Sequence, residues 1–352
     1  MESYKVCLAI AEAIWVGIDL HKVHWHVTIR TEVAEVISGS IPGRWEALRA
    51  LLERYPAKRI CAVYEAGYFG YWLYDALTQW GAICTVTPPS LLPQEQGNRV
   101  KTDRRDSRKL SFYLMKGMLK GIWVPTPERR THRDVFRRRV KLVEDRVRVQ
   151  GRIKAVLQFY GTHLEAPSGA WTARYFRALS SLRWTDQWQQ ESFRRLLEQY
   201  SFLCDQIKQQ TALVHQLADN PLYAEDLMFL RTLGGVGVLT GMEFLLELPP
   251  MLEFSRSEEL GAYVGLTPAQ YSSGEHIRMG RITGAGRSHL RASLIELAWR
   301  VVAKDPGLRS VYEHIKHRAG SKRAIVAVAR RILLCMRRMI LDRQPYVMQH
   351  AA

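Results

Sequence analysis

Two aspartates, Asp103 and Asp106, lie three residues apart in Asn98–Leu110, a stretch rich in arginine and lysine. On a helix this spacing places both carboxylates on one face, where they repel each other unless a cation lies between them. Mg²⁺ binds one or two carboxylates in proteins and keeps its other positions for water and phosphate oxygens. The pair therefore indicates a magnesium site with a basic lining for a polyanion. The alternative is a helix cap at Asp103, with Asp106 paired to nearby arginines.

Two further carboxylates, Asp19 and Glu65, each end a strongly apolar run. An unpaired charge is costly at the end of a buried strand, and ligands in α/β folds gather at strand ends. Four carboxylates meeting there could hold two metal ions that polarise a phosphodiester. Either residue alone could equally begin a turn and face water. His24 and His26 share one face of the next strand and, without a ligand spacing, are interpreted as a solvated face.

The charge of the chain points to a polyanionic partner. Lysine and arginine outnumber aspartate and glutamate by 17, and the isoelectric point is near 9.8. No sequence run is long and apolar enough to span a bilayer, and no lipidation motif is visible, so nucleic acid is favoured over a membrane. The five cysteines are scattered, which favours a reducing cytoplasm over a disulfide or zinc scaffold.

The elements that must position the carboxylates are predicted from apolar periodicity. Three strands follow one another from Ala13 to about Gly39. Helices over 44–55 and 70–80 then alternate with strands over 59–65 and 82–87. Three strands in a row followed by helix–strand alternation predict an α/β domain with a mixed sheet, similar to the ribonuclease H-like arrangement.

Two long helices with coiled-coil spacing are predicted next, over 132–160 and 193–218. An antiparallel pair, a dimer built from it or an ordinary helical hairpin all satisfy the pattern. Dense arginines on the first helix, Arg138 and Arg139 among them, favour a nucleic-acid face. The apolar positions of the first helix are Phe136, Val140, Val143 and Val147, followed by Val149, Ile153, Val156 and Tyr160. Those of the second are Phe193, Leu197, Tyr200, Cys204, Ile207, Thr211, Val214 and Ala218. The intervening aromatics Trp171, Tyr175, Trp184 and Trp188 could stack on bases, but burial is expected for most of them.

The last third contains a second candidate for chemistry. Leu230–Gly237 fits the turn of a helix-hairpin-helix, whose amides grip a phosphate, or a plain glycine-rich linker. Ser272 and Ser273 precede a glycine-punctuated loop with arginines, where a hydroxyl could attack a phosphodiester. A polar turn is the alternative for this loop. Residues 323–341 are predicted to form a basic amphipathic helix.

In this order the motifs resemble the DEDD-type transposases of insertion-sequence family one hundred and ten, from about Ile14 to Arg300. The resemblance rests on the combination, since each motif is weak alone. The first acidic block corresponds to Gly17-Ile18-Asp19, the second to Tyr64-Glu65-Ala66-Gly67, and the third and fourth to Lys101–Asp106. The serine-bearing domain corresponds to Leu233–Gly237, Tyr263–Pro268, Ser273-Gly274, Gly280–Thr283 and Leu290-Arg291. Gly234-Gly235 departs from the family's Pro-Gly, and Arg104-Arg105 are more cationic than the family pattern.

The resemblance implies a RuvC-like nuclease domain over 1–127, a basic coiled-coil region over 128–222 and a helical transposase domain over 223–352. It implies a recombinase that cuts and rejoins double-stranded donor and target DNA, guided by a structured non-coding bridge RNA. Ser273 would form a covalent phosphoserine with DNA, although Ser272 is adjacent. Asp19, Glu65, Asp103 and Asp106 would bind Mg²⁺, two ions per acidic site.

The resemblance also implies how the protein is assembled and located. The acidic cluster of one subunit would meet the serine of another, in a homodimer that assembles into a tetramer in the bacterial cytoplasm, associated with the nucleoid and not with a membrane. A metal-dependent junction nuclease without a covalent intermediate and a non-catalytic RNA-binding protein remain as alternatives. The expected nucleic-acid contacts are Lys101, Arg104, Arg105, Arg138, Arg139, Arg278, Arg281 and Arg291.

Overall fold

The structure is a computed structural model that describes residues 11–92, 103–164, 171–273 and 276–348. At residues 11, 103, 271–273 and 276–279 it describes the backbone alone. The chain divides into two compact units, 1–124 and 125–352.

The first unit is built on a five-stranded mixed sheet in the order β3-β2-β1-β4-β5. Strands β1 to β3 form an antiparallel meander, and β4 and β5 continue the sheet parallel to β1. The prediction of a mixed α/β sheet is therefore confirmed. The strands are β1 (Ala11–Leu20), β2 (His24–Arg30), β3 (Glu35–Pro42), β4 (Ala57–Glu65) and β5 (Ile83–Thr87).

Helices cover both faces of this sheet. Helices α1 (Trp45–Leu52) and α2 (Trp72–Gln79) bury their leucines with Ile18 and Tyr64 on one face. Helix α3 (Asp103–Met115) packs on the other face, against β1 and β2. Successive strand residues point to opposite faces of the sheet. Both faces are buried because the side chains on each face are apolar or small.

The second unit begins with two long antiparallel helices, α4 (Pro127–Phe159) and α6 (Gln187–Ala218). The start of α4 contacts the end of α6, where Gln210 donates to the Val135 carbonyl at 2.8 Å. Proline at the first position of α4 follows a Thr126 cap, as its fixed φ and missing N–H favour. The short helix α5 (Ala173–Ser181) covers the pair.

The predicted seam of α6 is largely buried, but that of α4 needs correction. Val147 is 54% exposed and Tyr160 is 53% exposed, whereas Leu142 and Leu157 are buried in their place. The seam of α4 therefore runs through Phe136, Val140, Leu142, Val149, Ile153 and Leu157.

The remainder of the second unit is a helical bundle with a two-stranded ribbon. The glycine-punctuated loop predicted from Tyr271 to Gly286 is wrong for residues 271–273 and 276–282, which lie in two antiparallel strands, β6 and β7. The elements are α7 (Ala224–Arg231), α8 (Val238–Glu247), α9 (Ser257–Val264), β6 (Pro268–Ser273), β7 (His276–Ile282), α10 (Ser288–Lys304), α11 (Pro306–Ala319) and α12 (Ser321–Asp342). Within the described residues, no helix is long and apolar enough to cross a membrane.

Candidate active site

Asp19 and Glu65 stand at the ends of neighbouring parallel strands. In β1 and β4, Gly17 is paired with Val63 and Ile18 with Tyr64, so the next residues in register are the two carboxylates. Adjacent strands are about 4.8 Å apart, and side chains two residues apart share a face. Both acids therefore lie on the face to which Gly17 and Val63 belong. Both are half-buried.

Helix α3 covers that face at very close range. A Cβ atom on Gly17 would lie 2.1 Å from the backbone oxygen of Ser107 and 2.5 Å from the backbone nitrogen of Ser111. Only glycine allows the helix backbone to approach the strand so closely. Asp106 is therefore held, half-buried, on the helical turn that lies over β1.

A buried hydroxyl network fixes the first turns of α3. The Ser107 Oγ lies 2.8 Å from the Thr28 Oγ1 and 2.9 Å from the His26 Nδ1, and Thr28 reaches the Ser38 Oγ at 2.9 Å. Ser107 and Thr28 are fully buried. His26 is the cross-strand partner of Asp19, so the network joins the residue next to Asp106 to the residue opposite Asp19.

Sequence reasoning missed this network. The interpretation of His24 and His26 as a solvated face holds for His24, which is exposed, but His26 is half-buried and bonded to Ser107. A pattern of small residues in the sequence could have predicted it. Gly17 in the strand and Ser107 and Ser111 in the helix permit close packing of the two elements.

The site combines carboxylates with nearby basic side chains. The His21 Nε2 lies 3.2 Å from the Asp19 Oδ2. Arg104 and Arg105, on the first turn of α3, are exposed, whereas Arg108 pairs with Glu35, to whose Oε1 its Nε donates at 2.9 Å. Lys101 falls outside the described residues.

Carboxylate oxygens from Asp19, Glu65 and Asp106 are the hard ligands that Mg²⁺ prefers. They belong to three different elements, β1, β4 and α3, and α3 packs against both strands. In the described part of the chain, however, no three His, Cys, Asp or Glu side chains are gathered closely enough to hold an ion. Asp103 is the first residue of α3, and its side chain is not among those described.

Ser273 lies at the end of the ribbon in the second unit. It is the last residue of β6 and pairs with His276, the first residue of β7. Arg278 lies opposite Tyr271 in the same register, and the side chains of Ser272, Ser273 and Arg278 fall outside the described set. The Arg281 side chain is described and exposed.

Arg291 has a structural role in the turn beside the ribbon. Its guanidinium donates to the backbone carbonyls of Val264 at 3.0 Å and Ala285 at 2.9 Å. Gly265, with φ of +75°, faces the same Ala285 backbone, and a Cβ there would lie 2.2 Å from its oxygen. The arginine thus ties the end of α9 to the segment that follows β7.

The arginines of α4 differ in what their side chains contact. Arg138 is exposed, and Arg139 donates to the Thr211 Oγ1 of α6 at 2.8 Å. Three others bind the last turn of α8, where a helix leaves carbonyls without partners. Arg129 donates to the Leu245 and Leu248 carbonyls, Arg133 to the Leu246 carbonyl, and Arg137 to both carboxylate oxygens of Glu247 at 2.7 Å. Part of the arginine density that favoured a nucleic-acid face is therefore structural.

Burial shifts the pKa values of these groups in opposite directions. Desolvation lowers the pKa of Arg133, partly offset by Glu247. Burial alone would raise the pKa of Glu247, but the hydrogen bonds and charge of Arg137, with Arg287 and Arg133, hold it below its usual value. The Arg133 contact and the Arg137–Glu247 pair together stabilise the end of α8.

The aromatic segment and the glycine turn complete the second unit. Tyr175 is buried and Trp171 and Trp184 pack into the α4–α6 core, whereas Trp188 is 74% exposed. Helices α7 and α8 are joined by a short turn in which Gly235 has a φ of +111° and packs against α10. A short turn between two helices fits both interpretations of Leu230–Gly237, the helix-hairpin-helix and the glycine-rich linker.

Models of two known protein families match two separate segments of this chain. A family model described as "Transposase IS116/IS110/IS902 family" matches residues 228–313. A model of the DEDD transposases of IS110 matches residues 16–162. The first segment contains the two-stranded ribbon that carries Ser273, here called the serine ribbon. The second contains Asp19, Glu65 and Asp106.

The chain is also similar to individual bacterial proteins. It is 29% identical over 263 residues to the putative transposase y4qE of Sinorhizobium fredii, an alignment that covers 75% of this chain and 63% of that protein. It is 27% identical over 241 residues to the transposase for insertion sequence element IS1533 of Leptospira borgpetersenii, covering 67% and 69%. It is 25% identical over 371 residues to the putative transposase y4rJ of Sinorhizobium fredii, covering 92% and 91%. The chain thus spans less than two thirds of the length of y4qE. It belongs to the IS116/IS110/IS902 family of DEDD transposases.

Proposed function

We propose that this protein is a transposase that cuts and rejoins donor and target DNA under the guidance of a structured non-coding RNA. The supporting observation is the register of β1 and β4, which sets Asp19 beside Glu65 on the face covered by the first turns of α3. Helix α3, which carries Asp106, packs against both of these strands. Family membership supports the same assignment.

Asp19, Glu65, Asp103 and Asp106 are proposed to supply the carboxylate oxygens of the site. Mg²⁺ bound there, two ions per site, would polarise the phosphodiester and stabilise its attacking and leaving oxygens. The half-buried setting of the described carboxylates strengthens their interaction with charge, because the local dielectric is lower than in water.

Ser273 is proposed as the nucleophile. Its Oγ forms a bond to phosphorus, the bond from phosphorus to one deoxyribose oxygen breaks, and the serine proton passes to solvent. The released oxygen takes up a proton and becomes a strand-end hydroxyl. Attack on the phosphoserine by the hydroxyl of another strand reverses these steps, joins the strands and restores the serine.

The proposed active unit contains more than one copy of the chain, with Ser273 of one subunit completing the acidic site of another. We propose a homodimer that assembles into a tetramer on DNA. Base pairing by the RNA would select the sequence, and cationic side chains would hold the sugar–phosphate backbones without reading bases. The candidates for these contacts are Lys101, Arg104, Arg105, Arg138, Arg139, Arg278, Arg281 and Arg291.

Trapping of the covalent intermediate tests this function. The full-length protein is purified with its RNA, incubated with end-labelled donor and target DNA and Mg²⁺, and denatured before electrophoresis. We expect a denaturation-resistant protein–DNA adduct with wild type and with Ser272→Ala, and none with Ser273→Ala. Strand cleavage by wild type without an adduct would instead identify a junction nuclease that uses water.

Substitution of the carboxylates tests the acidic site separately. Asp19→Asn, Glu65→Gln and Asp103→Asn should each abolish recombination and leave nucleic-acid binding intact. Mg²⁺ should raise the melting temperature of wild type, because a ligand that binds only the folded state stabilises it, and should do so much less for Asp103→Asn. Equal Mg²⁺ stabilisation of both proteins would favour a non-catalytic protein.

Sequencing of the RNA that co-purifies with the protein identifies the guide.

A further inference from the structure

A large cleft in the second unit lies beside the serine ribbon. It has a volume of about 1020 Å³ and is formed by the base of the ribbon and one side of α12. Its floor is apolar, with Leu266, Val326 and Leu334 among the lining residues. Pockets for drug-sized molecules measure about 300–1,000 Å³, so this cleft has room for more than one nucleotide.

The walls of the cleft are cationic. Arg281, Lys322, Arg323, Arg330 and Arg331 line it, and no lining residue is acidic. Within the described residues, none of these five forms an ion pair, whereas two arginines elsewhere on or just after α12 are paired. Arg338 pairs with Asp342, and Arg343 with Glu225.

One of the cleft arginines has an unsatisfied group. The Nε of Arg330 is buried and lacks a hydrogen-bond partner in the part of the chain that the structure describes. Gly261 of α9 packs against it, since a Cβ there would lie 3.3 Å from this nitrogen. A buried donor without a partner is costly, and an anionic oxygen entering the cleft would relieve that cost.

We propose that this cleft binds an unpaired stretch of nucleic acid, with phosphates on the arginines and bases against the apolar floor. This ligand class matches both features of the cleft, because its negative phosphates suit the arginines and its flat apolar bases suit the floor. The inference rests on the proposed function and adds to it a site for the strand near the cutting position. From Pro268, at the cleft, to Ser273 the ribbon extends five residues, or about 17 Å at the rise of a strand.

Oligonucleotide binding by matched single variants tests the proposal. Fluorescence polarisation of the full-length protein with labelled hexathymidine DNA or hexauridine RNA is measured over a range of salt concentrations. We expect Arg331→Gln to weaken binding and to reduce the slope of log Kd against log salt by about 0.7, the value for one single-strand phosphate contact. Arg338→Gln is the control, because it removes the same charge two turns further along α12, outside the cleft. An equal loss in both variants, or a loss in neither, would overturn the proposal.

The contact between bases and the apolar floor is tested by changing first the protein and then the oligonucleotide. Ala327→Glu places a carboxylate among the lining residues and should abolish the binding that Arg331→Gln weakens. Abasic oligonucleotides of the same length should bind wild type about tenfold more weakly, since base contacts are lost while phosphates remain. This second measurement needs no variant, so it stands even if Ala327→Glu fails to fold. Unchanged affinity for abasic strands would exclude base binding.

Competition identifies the ligand class. Polyglutamate of matched charge should fail to displace the oligonucleotide, and displacement at equal concentration would indicate an acidic protein segment and overturn the proposal. The affinities for hexathymidine DNA and hexauridine RNA then show which nucleic acid the cleft prefers. All of these measurements can be made in a Ser273→Ala background, so their failure is distinguishable from failure of the covalent mechanism.

Discussion

His26 and Ser107, 81 residues apart in the chain, are joined by a hydrogen bond of 2.9 Å between Nδ1 and Oγ. His26 lies opposite Asp19 across β1 and β2, and Ser107 directly follows Asp106. The bond therefore links α3, which carries Asp106, to β2, the strand that pairs with β1 and its Asp19. Groups that orient metal ligands from outside the coordination sphere often matter nearly as much as the ligands themselves.

Removing the Ser107 hydroxyl should weaken the acidic site without unfolding it. We expect Ser107→Ala to lower recombination by about 10–100-fold, the usual cost of losing such an orienting group. The Mg²⁺ concentration at half-maximal activity should rise, and added Mg²⁺ should restore part of the rate.

Ser111→Ala is the matched control for this change. Ser111 is also buried, one turn further along α3, but its hydroxyl donates to the Arg108 carbonyl of the same helix at 2.9 Å. Its Mg²⁺ dependence should match that of wild type. An equal shift in both variants would mean that packing of α3, rather than the Ser107 network, sets the Mg²⁺ requirement.

A single methyl group at Gly17 should separate α3 from the sheet. The Cβ would meet the Ser107 oxygen at 2.1 Å, and overpacking of this kind costs about 1–3 kcal/mol. We expect Gly17→Ala to lower the free energy of unfolding by at least that amount, measured by urea denaturation, and to abolish recombination. Gly39→Ala is the control, because a Cβ at Gly39 meets no atom within 4 Å. A stable, active Gly17→Ala protein would contradict the close packing.

The ion pair between Arg137 and Glu247 should be measurable in stability. Glu247 is 8% exposed and retains Arg287 at 3.4 Å when Arg137 is removed, so we expect Arg137→Leu to cost about 1–3 kcal/mol. The neighbouring Arg138→Leu, at an exposed position, should change stability by less than about 0.5 kcal/mol. Equal effects would show that the pair contributes nothing.

The same pair has a defined pH dependence. Burial alone would raise the pKa of Glu247, but Arg137 and the other arginines depress it below the value in the unfolded chain. The stabilisation is therefore present above about pH 4.3, the ordinary value for glutamate, and is lost as the pH falls through the folded pKa. Chemical denaturation of wild type and Arg137→Leu between pH 3 and pH 7, a range set by that ordinary value of about 4.3, should converge at the acidic end.

His289 should show the opposite dependence. A 2.6 Å hydrogen bond to Glu243 raises its pKa, although burial opposes the shift. The stabilisation is present below about pH 6.5, the ordinary value for histidine, and is lost as the pH rises through the folded pKa. His289→Gln should therefore lose stability relative to wild type mainly at acidic pH. His317→Gln, at an exposed position on α11, is the matched control for replacing a histidine.

The strands that carry Asp19 and Glu65 were predictable because each is an apolar run that ends abruptly in a carboxylate. The ribbon strands at 268–273 and 276–282 were not, because their glycines, serines and arginines resemble a loop and their order comes from cross-strand backbone pairing. The burial of Leu142 in place of Val147 depends on how α6 packs, which a heptad count on α4 alone does not contain. The bond from Ser107 to His26 likewise depends on a tertiary contact that local periodicity does not encode.

The arginines that bind the end of α8 also constrain how this protein can be divided. Arg129 and Arg133 come from the first turns of α4, more than a hundred residues before the carbonyls that they satisfy. A chimera joined to a relative at residue 222 would give α8 a foreign α4 and leave its last turn without matched donors. Exchanges that carry the first half of α4 together with α8 should express as folded protein, whereas exchanges that part them should aggregate.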